Sequence, residues 1–237
     1  MTCIQGFICA VPTANRAAFI RHAGSVVAGF RNHGLVAATE CWGDDVPDGK
    51  VTSFPLAVKA APDESVTLSW LVWPSKSVLD AVMKGPLDDP RLNPETNPMP
   101  FDGQRVVFGA FEPVLELGSP RPGGYFDGFV VPVKRDRREA FVEFARACDP
   151  IFIEHGASWI MEAWGVDLPE GKHTDFRRAV KAEPDEEVVF SWVQWPDRPA
   201  RDAGNARIMN DPRLAAHEMP FDGRRLIFGG FEPVVEV

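Results

Sequence analysis

The sequence predicts an α+β fold built from two tandem βαββαβ units, and three observations carry that expectation. First, the chain repeats itself almost end to end at a shift of 122 residues: Gly6-Phe7 falls on Gly128-Phe129, His33-Gly34 on His155-Gly156, and Trp70 on Trp192. AVKAAPDE at 57–64 returns as AVKAEPDE at 179–186, and after a two-residue deletion MPFDG at 99–103 returns as MPFDG at 219–223. Second, each copy runs strand, helix, strand, strand, helix, strand, the order that lays two helices on one face of a four-stranded antiparallel sheet, as in a ferredoxin-like fold. Third, the strongest strands are apolar on both faces. Val66, Leu68, Trp70 and Val72 alternate with Leu71 and Trp73, so each sheet needs cover on both sides. Helices supply one cover, and the sheet of the other copy is the natural second. The two sheets are therefore expected to pack face to face within one chain, as repeats 1–117 and 125–237 joined by the Gly/Pro-rich linker 118–124.

Each element has its own signal. The opening strands are the apolar runs 4–11 and 126–133. Phe19, Ala23, Val26 and Phe30, matched by Phe141, Ala145, Cys148 and Phe152, recur at spacings of 4, 3 and 4, which places them on one helix face. Asp136 followed by Glu139 reads as a capping box at the start of the second copy's helix. Gly34 and Gly156 close the helices in the left-handed conformation, and Pro150 predicts a kink. Runs at 35–43 and 157–165 follow, then turn-rich segments around Pro47-Asp48-Gly49 and Pro169-Glu170-Gly171, then strands at 66–73 and 188–195. A shorter helix is expected after Pro74 and Pro196, finishing near DPRL. The last strands are expected at 105–112 and 225–232.

Composition narrows the function. The halves carry net charges of −4 and −5, so neither offers the basic surface that nucleic-acid binding draws on, and no nucleic-acid partner is expected. The basic run KRDRR at 134–138 is absent from the first copy and reads as a solvated helix start. No apolar run approaches the ~18–20 residues that span a bilayer, so no membrane partner and a cytoplasmic location are expected. Cys3, Cys9, Cys41 and Cys148 form no CxxC pair and match Tyr125, Val131, Ala163 and Val26 in the other copy. They read as buried thiols rather than a metal or disulfide framework.

The joint pattern of GF-[IV], HG, E-x-WG, a PDGK-type turn, AVKA-x-x-DE, SW-x-x-WP, DPRL and MPFDG-x-R-x-x-[FY]G-[AG]-FE resembles the uncharacterised YbaA-like family of short bacterial proteins. The resemblance covers essentially the whole chain, twice. It implies a fold of the dimeric α+β barrel superfamily, closed here within one chain by tandem duplication. That superfamily includes cofactor-free monooxygenases, chlorite dismutase-like haem enzymes and plain ligand-binding domains, so the resemblance implies no single function.

Both copies keep several chemistry-bearing residues. Glu40 and Glu162 share a strand face with Trp42 and Trp164, and a carboxyl against an aromatic wall has the raised pKa of a general acid or base. The competing reading pairs each glutamate with Arg105 or Arg225 as a structural ion pair. Asp102 with Arg105, and Asp222 with Arg225, form either an Asx turn leading into the last strand or an acid–base pair facing a polar substrate. Trp70 and Trp73, like Trp192 and Trp195, point to opposite sheet faces; core packing takes at least one of each pair, and the other is a candidate pocket wall. His33 and His155 suit a helix carboxyl end. Lys50 and Lys172 belong to turns. His22, His173 and His217 match Phe144, Val51 and Asn97, so no histidine cluster is duplicated and no metal or other cofactor is expected. The sequence thus fits a small-molecule-binding protein that can be a cofactor-independent enzyme on an apolar or aromatic substrate, with Glu40 and Glu162 as acid–base groups, Trp42 and Trp164 as pocket walls and Arg105 and Arg225 steering an anionic group; the alternative reading is a non-catalytic structural or self-association module. Both a monomer and a homodimer are compatible with it.

Overall fold

A computed structural model describes residues 1–85 and 88–237. Its eight strands are β1 (Cys3–Pro12), β2 (Ala37–Asp45), β3 (Glu64–Trp73), β4 (Val107–Gly118), β5 (Tyr125–Lys134), β6 (Trp159–Asp167), β7 (Glu186–Trp195) and β8 (Ile227–Glu236). They close into one antiparallel barrel in the order β1-β3-β2-β8-β5-β7-β6-β4. Each repeat contributes a four-stranded sheet, and the sheets join along both edges, β2 to β8 and β4 to β6. Face-to-face packing is thus the interior of a closed barrel in which each of these eight strands has a hydrogen-bonded neighbour on both sides.

The long helices α1 (Arg16–Arg31) and α4 (Arg138–Glu154) lie outside, with α3 (Lys76–Lys84) and α6 (Arg198–Ile208) beside them. Phe19 and Ala23 of α1 are buried, as are Phe141, Ala145 and Cys148 of α4, in agreement with the helical spacing, whereas Val26, Phe30 and Phe152 are half-buried and Val27 is the buried valine of α1. Gly34 and Gly156 sit at φ +97 and +112 just past the helix ends, the region that glycine enters without a Cβ clash. Four local expectations are corrected. Asp136 lies in a 3-10 turn before α4 and caps nothing with its side chain, so there is no capping box. The DPRL segments do not end the second helices; they form separate short turns, the second being α7 (Pro212–Ala215), each capped by its own aspartate, Asp89 or Asp211. The turn-rich segments contain four-residue helices, α2 (Phe54–Ala57) and α5 (Phe176–Ala179), capped by Ser53 and Asp175. The last strands run on to Gly118 and Glu236, past the prolines at 113 and 233.

The barrel interior is a packed core. Trp70 and Trp192, one from each repeat, stack at 4.2 Å between ring centroids and 12° between planes. Phe111, Phe190 and Phe176 form a second aromatic group below them. Gly6 admits the Phe190 and Phe111 rings, which an added Cβ would meet at 3.1 and 3.2 Å, and Gly128 admits Leu68 of the other repeat, which an added Cβ would meet at 2.2 Å. Helices α2 and α5, which connect the ends of β2 and β6 to the starts of β3 and β7, plug one end of the barrel with Phe54 and Phe176, both fully buried. The other end stays open. Trp73 and Trp195 point outward into the helix layer, where their indole N–H groups donate to Gln5 and Asp127.

Candidate functional site

Glu40 and Glu162 lie on the outer face of the barrel, under α1 and α4 and away from the shared interior. Each faces across to the serine opposite it in the neighbouring strand, Ser69 or Ser191, and accepts a hydrogen bond from that hydroxyl. Glu40 is buried, and burial pushes its carboxyl up to about 7, with the Ser69 hydroxyl drawing it partly back. Glu162 is raised by the same cause. Neither makes an ion pair with a cationic side chain among the described residues. The reading that paired them with Arg105 and Arg225 is therefore replaced. Arg105 grips Glu64 through two N–H···O bonds of 2.8 and 2.6 Å and also donates to Asp102 and the Lys59 carbonyl. Arg225 does the same with Glu186, Asp222 and the Lys181 carbonyl. These arginines buckle the MPFDG loop to the start of β3 or β7. With their N–H groups engaged, they are not placed to steer a ligand beside the glutamates.

Trp42 and Trp164 do share a face with Glu40 and Glu162, but they do other work. Arg16 lies 5.8 Å above the Trp42 ring and bonds Glu232 of the other repeat; Arg138 lies 5.5 Å above Trp164 and bonds Glu112. Trp42 backs Phe19, at 5.8 Å between centroids, and it is Phe19 that reaches the cavity.

In the first repeat a cavity of about 210 Å³ opens between α1 and the sheet. Its wall is apolar, with Phe19, Val26, Phe30, Leu71, Met99 and Phe101. Polar atoms enter from Glu40, Ser69, Gln5 and His22. His22 is held by Asn97 at 3.1 Å, and burial lowers its pKa, so the imidazole is neutral at neutral pH. The arrangement is a proton acceptor in an apolar chamber with no fixed cation to neutralise it.

The second repeat replaces the cavity's partners. His22 becomes Phe144, which packs edge-on against Phe221. Gln5 becomes Asp127, Leu79 becomes Arg201 and Met83 becomes Asn205. Arg201 then bonds Asp127 at 2.7 Å and Asn205 donates to the same carboxylate at 3.1 Å. Val27 becomes Asp149, a buried carboxyl raised by burial first and then by the charge of Glu162. Sequence reasoning singled out Glu40 and passed over His22, Gln5 and Ser69. The signal that could have found the first two is that they are unmatched between copies of an otherwise matched chain.

A family model described as protein of unknown function (DUF1428) matches residues 2–103 and again 124–223. The chain belongs to the DUF1428 family. Its repeats resemble the uncharacterized protein YbaA of Escherichia coli strain K12, 52% identical over 114 residues that make up 47% of this chain and 97% of YbaA; the Shigella flexneri YbaA matches equally. This DUF1428 protein is thus a tandem duplication of a YbaA-like unit. Among solved structures, a putative monooxygenase from Lactobacillus acidophilus NCFM aligns with a TM-score of 0.61 at 12% identity, over 99% of this chain and 95% of that one. An anthrone oxidase-like protein aligns with a TM-score of 0.61 at 14% identity, over 100% and 92%. At such identities the likeness shows the shared fold, a dimeric α+β barrel. No helix among the described residues is long and apolar enough to cross a membrane.

Proposed function

We propose that the first repeat binds a small, largely apolar molecule in the cavity beside Glu40, and that Glu40 acts on it as a cofactor-independent proton acceptor. The observation that carries this reading is the carboxyl itself: buried, unpaired by any cation among the described residues, poised near neutrality, and open to a chamber. A general base works best with a pKa near the working pH, because it is then both available as the anion and strong enough to take a proton. An apolar cavity of about 150 Å³ holds benzene, so this one suits a single substituted ring. The substrate's acidic proton, on a phenolic oxygen or on a carbon beside a carbonyl, passes to the Glu40 carboxylate, and the protonated acid returns it at the end of the cycle. Ser69 orients the carboxyl, and neutral His22 offers an uncharged hydrogen-bonding group beside it. In the second repeat we assign the matching positions a structural role, since Asp127 is bound by Arg201 and Asn205.

The test is deuterium exchange. Aryl methyl ketones and phenols are first screened for binding by thermal shift. A bound ketone is then followed by NMR in heavy water, with wild-type protein and Glu40→Gln. Methyl-proton exchange should speed up with wild-type protein and rise with pH through about 7, while Glu40→Gln binds the ketone and catalyses at least ~100-fold less, the low end of what a general base contributes. Equal exchange by both proteins would remove Glu40 from the chemistry.

A further inference from the structure

The open end of the barrel holds a second cavity, on the other side of the sheet from Glu40. Its volume is about 750 Å³, inside the range of small-molecule sites. How the strands reach it is set by a β-bulge in each repeat. Along β4 the pairing steps from Pro113 opposite Ala163 to Leu115 opposite Glu162, which leaves Val114 extra; along β8 it steps from Pro233 opposite Cys41 to Val235 opposite Glu40, which leaves Val234 extra. One extra residue reverses which side chains face in. Glu116 and Glu236 are thereby turned to the interior. Glu116 stands beside Met161, which stands beside Trp192; Glu236 stands beside Thr39, which stands beside Trp70. Two carboxylates from the two repeats thus face each other across a mouth floored by the stacked indoles.

Both carboxylates are held in place and neither is neutralised. The Trp159 indole N–H donates to Glu116 at 2.8 Å, and the Gly123 backbone N–H of the linker donates to Glu236 at 2.8 Å. Among the described residues neither makes an ion pair. Arg121 is the cationic side chain on the cavity wall, which Met1 and Val237 also line; the third lining glutamate, Glu112, already pairs with Arg138. The Trp192 indole lines the cavity, and its nitrogen is fully buried with no hydrogen-bond partner among the described residues. Buried donors are rarely left unpaired.

From these features we infer that the barrel mouth is a binding site for an organic ammonium carried on an aromatic or flat apolar body. The body lies against Trp159, Trp192 and Met161. The ammonium sits between Glu116 and Glu236, where carboxylates and indole rings both favour a cation.

Three probes with one body and different charge test it: phenethylammonium, phenethyl alcohol and phenylacetate, titrated by calorimetry and by quenching of indole emission. Phenethylammonium should bind at least ~10-fold tighter than the other two, and added salt should weaken it selectively. The paired substitution Glu116→Gln with Glu236→Gln should bring it down to the affinity of the alcohol, and Glu116→Gln alone, which guards against misfolding of the pair, should lose part of the preference. Thr39→Trp, which fills the mouth, should abolish binding of all three. No charge preference, tightest binding of phenylacetate, preference surviving in the paired variant, or binding surviving in Thr39→Trp would each overturn the site.

Discussion

At the scale of single residues, the two repeats show how one glutamate is kept and its surroundings rewritten. The folded protein holds the Glu40 proton more tightly than an unfolded chain does, because burial raises its pKa to about 7 from an ordinary 4.5. Stability therefore falls as pH rises through that window, by on the order of 3 kcal/mol for this group. Glu40→Gln has no proton to lose, so it should raise the melting temperature at pH 8 relative to wild type and change it little at pH 4; a uniform shift at both would contradict the assigned titration. Arg105 makes the opposite kind of prediction. It holds Glu64 below the usual carboxylate range through its guanidinium hydrogen bonds, and Arg105→Ala leaves a mostly buried carboxylate without its partner. A loss of about 2–3 kcal/mol in denaturant unfolding is expected, and a loss below ~0.5 kcal/mol would reduce the pair to a surface contact. The sequence showed that Glu40 shares a face with Trp42, because side chains alternate along a strand. It did not show that Phe19 comes between the tryptophan and the cavity, since that depends on how α1 lies across the sheet.

At the scale of elements, strands and long helices were legible because their apolar periods extend over several turns or pleats. The four-residue helices α2 and α5 were not. Each is too short to display a period, and each is buried by position rather than by pattern. Phe54 and Phe176 nevertheless plug the barrel, so Phe54→Ala should cost about 3–5 kcal/mol, measured by chemical denaturation; a cost below ~1 kcal/mol would mean the plug can collapse around the gap. The ends of β4 and β8 escaped for another reason. A proline in a strand reads as a stop, whereas Pro113 and Pro233 sit beside bulges where the ladder is already broken. Glu116 and Glu236 lie just beyond, matched in both copies and unremarked for want of a strand to carry them.

At the scale of the whole molecule, the duplication announced two sheets that cover each other, and the unpaired edges of one repeat made closure the stable outcome. The sequence could not show which edges meet, because β4–β6 and β2–β8 pairing joins strands of different repeats, the second across more than half the chain. A fragment of residues 1–118 would expose the edges of β2 and β4 and the inner faces of Trp70 and Phe111. It should be found by size-exclusion chromatography and circular dichroism as a folded self-associated species or as an unfolded one. A folded, monomeric fragment would show that a repeat is stable without a second sheet against it.

The covalent connection between β4 and β5, residues 119–124, has one more effect. In an assembly of identical subunits every substitution is made on both sides at once, so a change that improves one chamber is imposed on its twin. Joined on a single polypeptide, the halves vary separately: His22 and Gln5 stand in one, Phe144 and Asp127 in the other. This molecule can therefore be built as an unequal couple, one half free to keep a chamber for a guest while the other gives up that freedom to brace the frame.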